Sequence, residues 1–473
     1  MVIKFFFDVE AEDLHKDGIS FGYCVIEIDD TTNAVPKIID QGDCHSIEGA
    51  QKSCAWVTEN VLPQLSAIRP YLNLPFNTIN ASNLPANVVK TKQELRERFF
   101  KLYKKHTNLS KNVEFWVDVG FPVETFFLKQ IVEDGRGSRD LSMPYPLMDL
   151  SSLLDFSISR KAFCGVNGLM EHNPLHDALA IFYSLQRYKQ NTNNIPPFIL
   201  NHLSKPKLVF DVGAKDLQLG AFGFGYIVTC FDGQNMQILE VGQCYSIKSA
   251  QKVREYVATK SLPNVTILQP WLKKDCDSIS KSDLPFELVI SANELRDRFF
   301  AIYTRWKELG AGIYAGDVTY PVEANFLSKV VQDDLAMRSF KMPYPLYDIV
   351  NILHSNISRN NFSGLDFIQK GNPLHHAITS SCSLYLTAIM TDTNFAMKEQ
   401  TLIAIRQAYQ KYIIPFNPNH SKLFDGKINT VSHLDTSTTN PNKCVNFLKQ
   451  LFFCSKQEQI TPIKNHASIN PSI

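Results

Sequence analysis

The sequence predicts an α/β protein of two tandem domains, each a mixed sheet with helices on both faces, followed by a partly disordered C-terminal extension. Three observations lead there: the chain repeats itself, each copy opens on a strand-like run apolar on both faces, and helical patterns separate that run from a later strand. Phe7-Asp8-Val9-Glu10, Trp116-Val117-Asp118-Val119 and His172-Asn173-Pro174-Leu175-His176-Asp177 recur as Phe210-Asp211-Val212-Gly213, Ala315-Gly316-Asp317-Val318 and Gly371-Asn372-Pro373-Leu374-His375-His376. Asp211 follows Asp8 by 203 positions and Asp317 follows Asp118 by 199, so about four residues are missing between those points of the second copy. The landmarks Glu94-Leu95-Arg96 and Met143-Pro144-Tyr145-Pro146-Leu147 return as Glu294-Leu295-Arg296 and Met342-Pro343-Tyr344-Pro345-Leu346.

Ile3 to Val9 is apolar on both strand faces, as a central strand covered on two sides requires. Runs from Ile19 to Ile28 and around Lys37 to Gln41 follow at hairpin distances. Leu95, Phe99 and Leu102 form the apolar stripe of a helix. Val113 to Val119 is a further strand running into Pro122-Val123-Glu124, where proline suits a first helical turn and Phe126 to Val132 continue the helix. A last helix begins at Asn173-Pro174, an N-cap and an N1 proline, and runs to about Tyr188. These elements place one domain over residues 1–190, a linker over 191–206 with Asn-Thr-Asn-Asn and paired prolines, a second domain over 207–390 and an extension over 391–473. The extension holds one amphipathic helix candidate, Glu399 to Ile413, and a short apolar segment, Val445 to Cys454. It is mildly basic and rich in Pro, Asn, Ser and Thr, which favours a solvated chain over a packed one. A membrane or partner anchor at Phe447 to Phe453 is the sharper alternative.

The chain has 473 residues. At roughly 100 to 200 residues per domain that length suits two or three domains, and the repeat selects two plus a tail. A net charge of +1 supplies no global pull toward nucleic acid or acidic lipid, so any such binding needs a local patch. Ten cysteines lie scattered without a CxxC pair or a Cys/His ligand spacing, and read as buried thiols of a reducing, cytoplasmic compartment. The apolar N-terminus meets Asp8 and Glu10 too soon to be a signal-peptide core. No stretch approaches the ~18 uninterrupted apolar residues of a membrane span, so no transmembrane segment is expected.

The chemistry gathers in the first copy. Asp8 and Glu10 stand two apart on one strand, so both leave the same face, at the end of an apolar strand where a buried lone carboxylate is costly. Asp118 ends a second apolar strand. Asp177 lies near the start of the last helix, with His172 just before its cap. Four carboxylates facing one point repel one another unless divalent cations neutralise them. Hard oxygen ligands favour Mg²⁺ or Mn²⁺, and two such ions can clamp both oxygens of a phosphodiester displacement. A neighbouring imidazole can take the proton of the attacking water.

Asp-x-Glu on the first strand, Asp at a strand-to-helix junction and His-x₄-Asp at the last helix resemble the DnaQ-like (DEDDh) 3′→5′ exonucleases of the RNase H-like fold. The resemblance spans residues 1 to about 190 directly and about 207 to 390 through the repeat. It implies two RNase H-like domains, a substrate of single-stranded RNA or DNA 3′ ends, Asp8, Glu10, Asp118 and Asp177 as ligands of two Mg²⁺ or Mn²⁺ ions, and His172 as general base.

The second copy keeps Asn372-Pro373 but carries Gly213 for Glu10, Gly371 for His172 and His376 for Asp177, while Asp211 and Asp317 remain. It is expected to be degenerate, a scaffold or substrate guide. Relatives that work as homodimers imply an intramolecular pseudo-dimer of the two repeats, with Arg296, Arg298, Arg305 and Lys307 as candidate phosphate contacts. His176 and His375 recur in both copies and read as packing residues; Glu124 and Glu323 read as helix N-terminal stabilisers. Lys101, Lys104 and Lys105 read as a solvated helix face, and Phe121 and Tyr145 as core rather than base-stacking residues. Two competing readings are a non-catalytic nucleic-acid- or protein-binding protein on a nuclease fold, and a secreted bacterial effector using the same activity.

Overall fold

The computed structural model describes residues 2–28, 36–110, 112–135, 138–139, 143–144, 147–152, 169–190, 205–216, 220–231, 236–316, 320–339, 346–349 and 371–391. The linker from 191 to 204, the helix candidate Glu399 to Ile413 and the apolar segment Val445 to Cys454 lie outside the described residues, as do Tyr145 and Asp317.

Strands β1 (Val2–Ala11), β2 (Gly18–Ile28) and β3 (Lys37–Ser46) form an antiparallel meander. Beyond it run β4 (Val88–Val89), β5 (Val113–Val117) and β6 (Leu147–Asp149), in the sheet order β4-β3-β2-β1-β5-β6. β1 pairs in parallel with β5, and β5 with β6. The second sheet repeats this order with β7 (Lys207–Asp216), β8 (Gly220–Phe231), β9 (Met236–Ser246), β10 (Leu288–Val289), β11 (Gly312–Ala315) and β12 (Tyr347–Asp348), arranged β10-β9-β8-β7-β11-β12. The chain is thus α/β with two mixed six-stranded sheets of the same strand order, as expected. The two-residue strands β4 and β10 and the short β6 and β12 carry too little pattern to stand out in sequence.

Between β3 and β4 lie α1 (Ile47–Gln51), α2 (Ala55–Asn60) and a series of short 3₁₀ turns. α3 (Lys92–Leu109) starts at a capping box in which Thr91 accepts from the Glu94 amide and the Glu94 carboxylate accepts from the Thr91 amide. α4 (Thr125–Asp134) and α5 (Pro174–Gln190) complete the first set. The strand expected over Val113 to Val119 stops at Val117, and a π-helical turn, Gly120–Glu124, precedes α4.

Side-chain alternation along β1 sorts the layers. Phe5 and Phe7 face α3 and α4, where Phe99 meets Phe7, Phe21 and Phe127 at centroid distances of 5.1, 5.2 and 5.4 Å. Phe6 faces the opposite way, packing with Trp116, Ile181, Phe182 and Leu185. Burial of each such ring stabilises by about 2 kcal/mol. Asp8 and Glu10 share the parity of Phe6, which sends them toward α5.

The second repeat carries α6 (Ile247–Ala250), α7 (Glu255–Lys260), α8 (Ala292–Glu308), α9 (Val322–Gln332), α10 (Leu335–Arg338) and α11 (Pro373–Thr391). α4 packs against α9, and Phe127, Leu128 and Ile131 join Phe326, Leu327 and Val330 in one continuous apolar cluster. Among the described residues no helix is long and apolar enough to cross a membrane, and the six described cysteines with placed side chains are all free thiols.

Candidate active site

The site forms where the N-terminus of α5 crosses the end of β1. A glycine makes this approach possible. Gly22 pairs with Asp8 across the β1–β2 ladder, and a Cβ on it would lie 2.1 Å from both Leu175 N and Pro174 C. Only a residue without a side chain lets the helix backbone come this close. Asn173 caps the helix, its Oδ1 accepting from His176 N at 3.2 Å, and Asp177 then points into the space beside Asp8.

Ligand atoms of Asp8, Glu10 and Asp177 all lie within 4.8 Å of one another. Asp8 and Asp177 are buried, Asp177 with 0% of its surface exposed. Three carboxylates this close repel strongly when ionised. An all-oxygen donor set of this kind fits Mg²⁺ or Mn²⁺, which would remove that repulsion. His172 stands at the rim with its Nδ1 3.7 Å from Glu10 Oε1. It holds a left-handed backbone, φ 62°, and its ring meets that of Trp56 edge-to-face at 5.4 Å. Trp56 is 56% exposed; the sequence reading did not single it out, since nothing in α2 marks it as near the last helix.

Asp118 is buried but lies outside this three-carboxylate group. It follows the last residue of β5, and its carbonyl accepts from Ser151 N at 2.8 Å. Beside it is Asp149, also missed, whose Oδ2 accepts from Gly120 N at 2.8 Å and whose Oδ1 accepts from Ser151 Oγ at 2.6 Å. Burial pushes the Asp149 carboxyl up to about 7, the Asp118 charge adding to this and the bonds from Ser151 and Gly120 opposing it. The recurrence of this position as Asp348 was the available sequence signal.

The second repeat departs further from the first than alignment by sequence suggests. Val117 lies opposite Asp149 in the β5–β6 ladder, and Ala315 lies opposite Asp348 in the β11–β12 ladder. Gly316, not Asp317, therefore follows the strand at the place of Asp118. With Gly213, Gly371 and His376, four of the five positions have changed. His376 Nδ1 sits 3.3 Å from Asp211 Oδ2, and its Nε2 accepts from Gly371 N at 3.1 Å.

The remaining candidates fall into place as structure. His176 Nδ1 accepts from Met170 N at 3.0 Å, and His375 is buried. Glu124 and Glu323 are buried at the starts of α4 and α9. Phe121 is core, and Lys105 pairs with Asp40 at 2.6 Å on the exposed face of α3. The phosphate-contact role expected of α8 is not supported: Arg296 bonds Asp333, Arg305 bonds Glu240, and Arg298 donates to Phe286 O. Carboxylates from other elements already engage Arg296 and Arg305, and a backbone carbonyl engages Arg298. Burial lowers the Lys307 pKa.

Comparison with protein-family profiles gives no match, and comparison with curated proteins gives none. Among solved structures, the zinc-bound complex of E. coli exonuclease I with single-stranded DNA is 12% identical with a TM-score of 0.28, over 95% of this chain and 98% of that one. Exonuclease I in its apo form is 13% identical with a TM-score of 0.26, over the same 95% and 98%. An Aquifex aeolicus PPX-GPPA enzyme is 12% identical with a TM-score of 0.17, over 66% of this chain and 67% of that one.

Proposed function

We propose that this chain is a metal-dependent 3′→5′ exonuclease of the DnaQ-like (DEDDh) kind, acting on single-stranded RNA or DNA ends. The catalytic unit is residues 1–190, and residues 207–390 are a degenerate copy that serves as scaffold. The convergence of Asp8, Glu10 and Asp177, with His172 at their rim, is the observation that supports this reading most. Asp8, Glu10 and Asp177, with Asp118 as fourth carboxylate, would hold two Mg²⁺ or Mn²⁺ ions, which when bound stabilise the attacking and leaving oxygens of a phosphodiester.

The protein's own groups do the rest. The buried wall of Phe6, Trp116 and Phe182 holds β1 and α5 in fixed relation, so the carboxylates need not reorganise during reaction. His172, partly exposed beside Glu10, is placed to take a proton from an incoming water. Packing of α4 on its counterpart α9 supports an intramolecular pseudo-dimer of the two repeats. Free thiols at the described cysteines accord with a cytoplasmic location.

The test incubates the full chain with 5′-labelled single-stranded DNA and RNA in Mg²⁺ or Mn²⁺. A ladder of products shortening from the 3′ end, abolished by chelator, is expected. Cleavage undiminished in excess chelator overturns the mechanism.

A further inference from the structure

We propose that the second repeat positions the Asp118 turn of the first, through a hydrogen-bonded clamp that passes across the repeat boundary at Ser152. This rests on the reading of Asp118 as the fourth metal carboxylate. β5 ends at Val117, so Asp118 lies beyond its strand. The turn from Leu150 to Ser152 does the holding: Ser151 N donates to Asp118 O at 2.8 Å, and Asp149, from the adjoining end of β6, accepts from Gly120 N at 2.8 Å, Ser151 Oγ at 2.6 Å and Ser152 N at 3.3 Å. The backbone from the Asp118 carbonyl to the Gly120 amide is thereby tied to one short segment.

That segment is fixed from the other repeat. The amide of Asp348, at the end of β12, donates to Ser152 Oγ at 2.8 Å. Asp149, Ser152 and Asp348 are all buried, so water does not substitute freely for any of these partners. The path from the second repeat to Asp118 is a continuous run of short bonds in a dry setting.

The two repeats differ in sequence at this segment. Asp149-Leu150-Ser151-Ser152 of the first repeat corresponds to Asp348-Ile349-Val350-Asn351 of the second. The aspartate persists in both, but the two serines stand only beside the intact site. A degenerate copy kept for this purpose needs its backbone at Asp348 and none of its former chemistry.

The test measures Mn²⁺ binding to the full chain by calorimetry, alongside thermal unfolding, for Asp118→Ala, Asp149→Asn and Ser152→Ala. Asp149→Asn puts an amide donor into a carboxylate position that three donors share, and is expected to weaken Mn²⁺ binding by roughly 10- to 100-fold, the range for partners of metal ligands. Ser152→Ala is expected to weaken it by a smaller factor in the same direction, with unfolding temperature close to wild type and the KM for oligonucleotide unchanged. If Asp118→Ala binds Mn²⁺ as wild type does, the reading of Asp118 fails and takes the clamp with it. If Asp118→Ala weakens binding while Asp149→Asn and Ser152→Ala do not, Asp118 stands and the clamp is overturned. A loss of affinity that only follows a loss of folded protein also overturns it.

Discussion

His376 Nδ1 lies 3.3 Å from Asp211 Oδ2 in the second repeat, so an imidazole stands beside the aspartate that corresponds to Asp8. Where the first repeat gathers carboxylates, the second sets an imidazole against the aspartate that remains. Space has closed as well: a Cβ on Gly213 would lie 2.7 Å from Phe222 Cζ and 2.9 Å from Pro373 Cγ, and one on Gly371 would lie 2.9 Å from Ser261 Cβ. Gly213→Glu, Gly371→His and His376→Asp, combined in an Asp8→Ala background, are therefore expected to create no activity. Overpacking of this kind costs about 1–3 kcal/mol per site, so a lowered melting temperature is the expected reading. Activity from this variant would show that the second fold retains a workable site.

Asp8→Ala and His172→Ala should fail differently. Asp8 is buried within the three-carboxylate group, so its loss should abolish Mn²⁺ binding in calorimetry. His172 touches only the rim, so its removal should leave binding nearly intact while turnover falls roughly 10²- to 10⁴-fold, as for a general base. Full activity of His172→Ala would remove the histidine from the mechanism.

Gly22→Ala should push the start of α5 off β2, because its Cβ would sit 2.1 Å from the helix backbone. Gly225 is the internal control, since a Cβ there would lie 2.1 Å from Leu374 N. Both variants should lose stability. Only Gly22→Ala should also lose turnover per folded molecule, measured with the active fraction set by circular dichroism.

Lys4 and Lys207 occupy the same place in β1 and β7, but Lys4 faces Glu114 across the sheet and forms an ion pair with it, whereas Lys207 faces Gly312. Burial holds the Lys207 ammonium down at about 8, with 2% of the residue exposed. An unfolded lysine stays protonated to about 10.4. Between those values the unfolded state binds more protons, so stability should rise with pH from about 8 to about 10.4, and the cost of the buried charge is present in full below 8. At ~1.4 kcal/mol per pH unit that cost is on the order of 3 kcal/mol. Lys207→Met should therefore be more stable than wild type at pH 7, and the difference should shrink as pH rises in urea melts. A difference that does not change with pH would contradict the assignment.

The central strand and the N-cap at Asn173 were legible because each depends on local spacing. Asp8, Glu10 and Asp177 were legible because strand parity and a helix start fix where side chains go. Asp149 and Trp56 were not: each reaches the site through a fold-level approach that no local pattern encodes. Gly316 shows the limit most clearly, since matching Asp118 to Asp317 reads naturally in sequence and only the two ladders reveal the one-residue difference.

The most direct test of the account is the position of bound metal, read as anomalous scattering from crystals of the full chain soaked in Mn²⁺. Peaks among Asp8, Glu10 and Asp177, and none between Asp211 and His376, are expected. A first repeat without a peak, or a peak of equal height in the second, would contradict it.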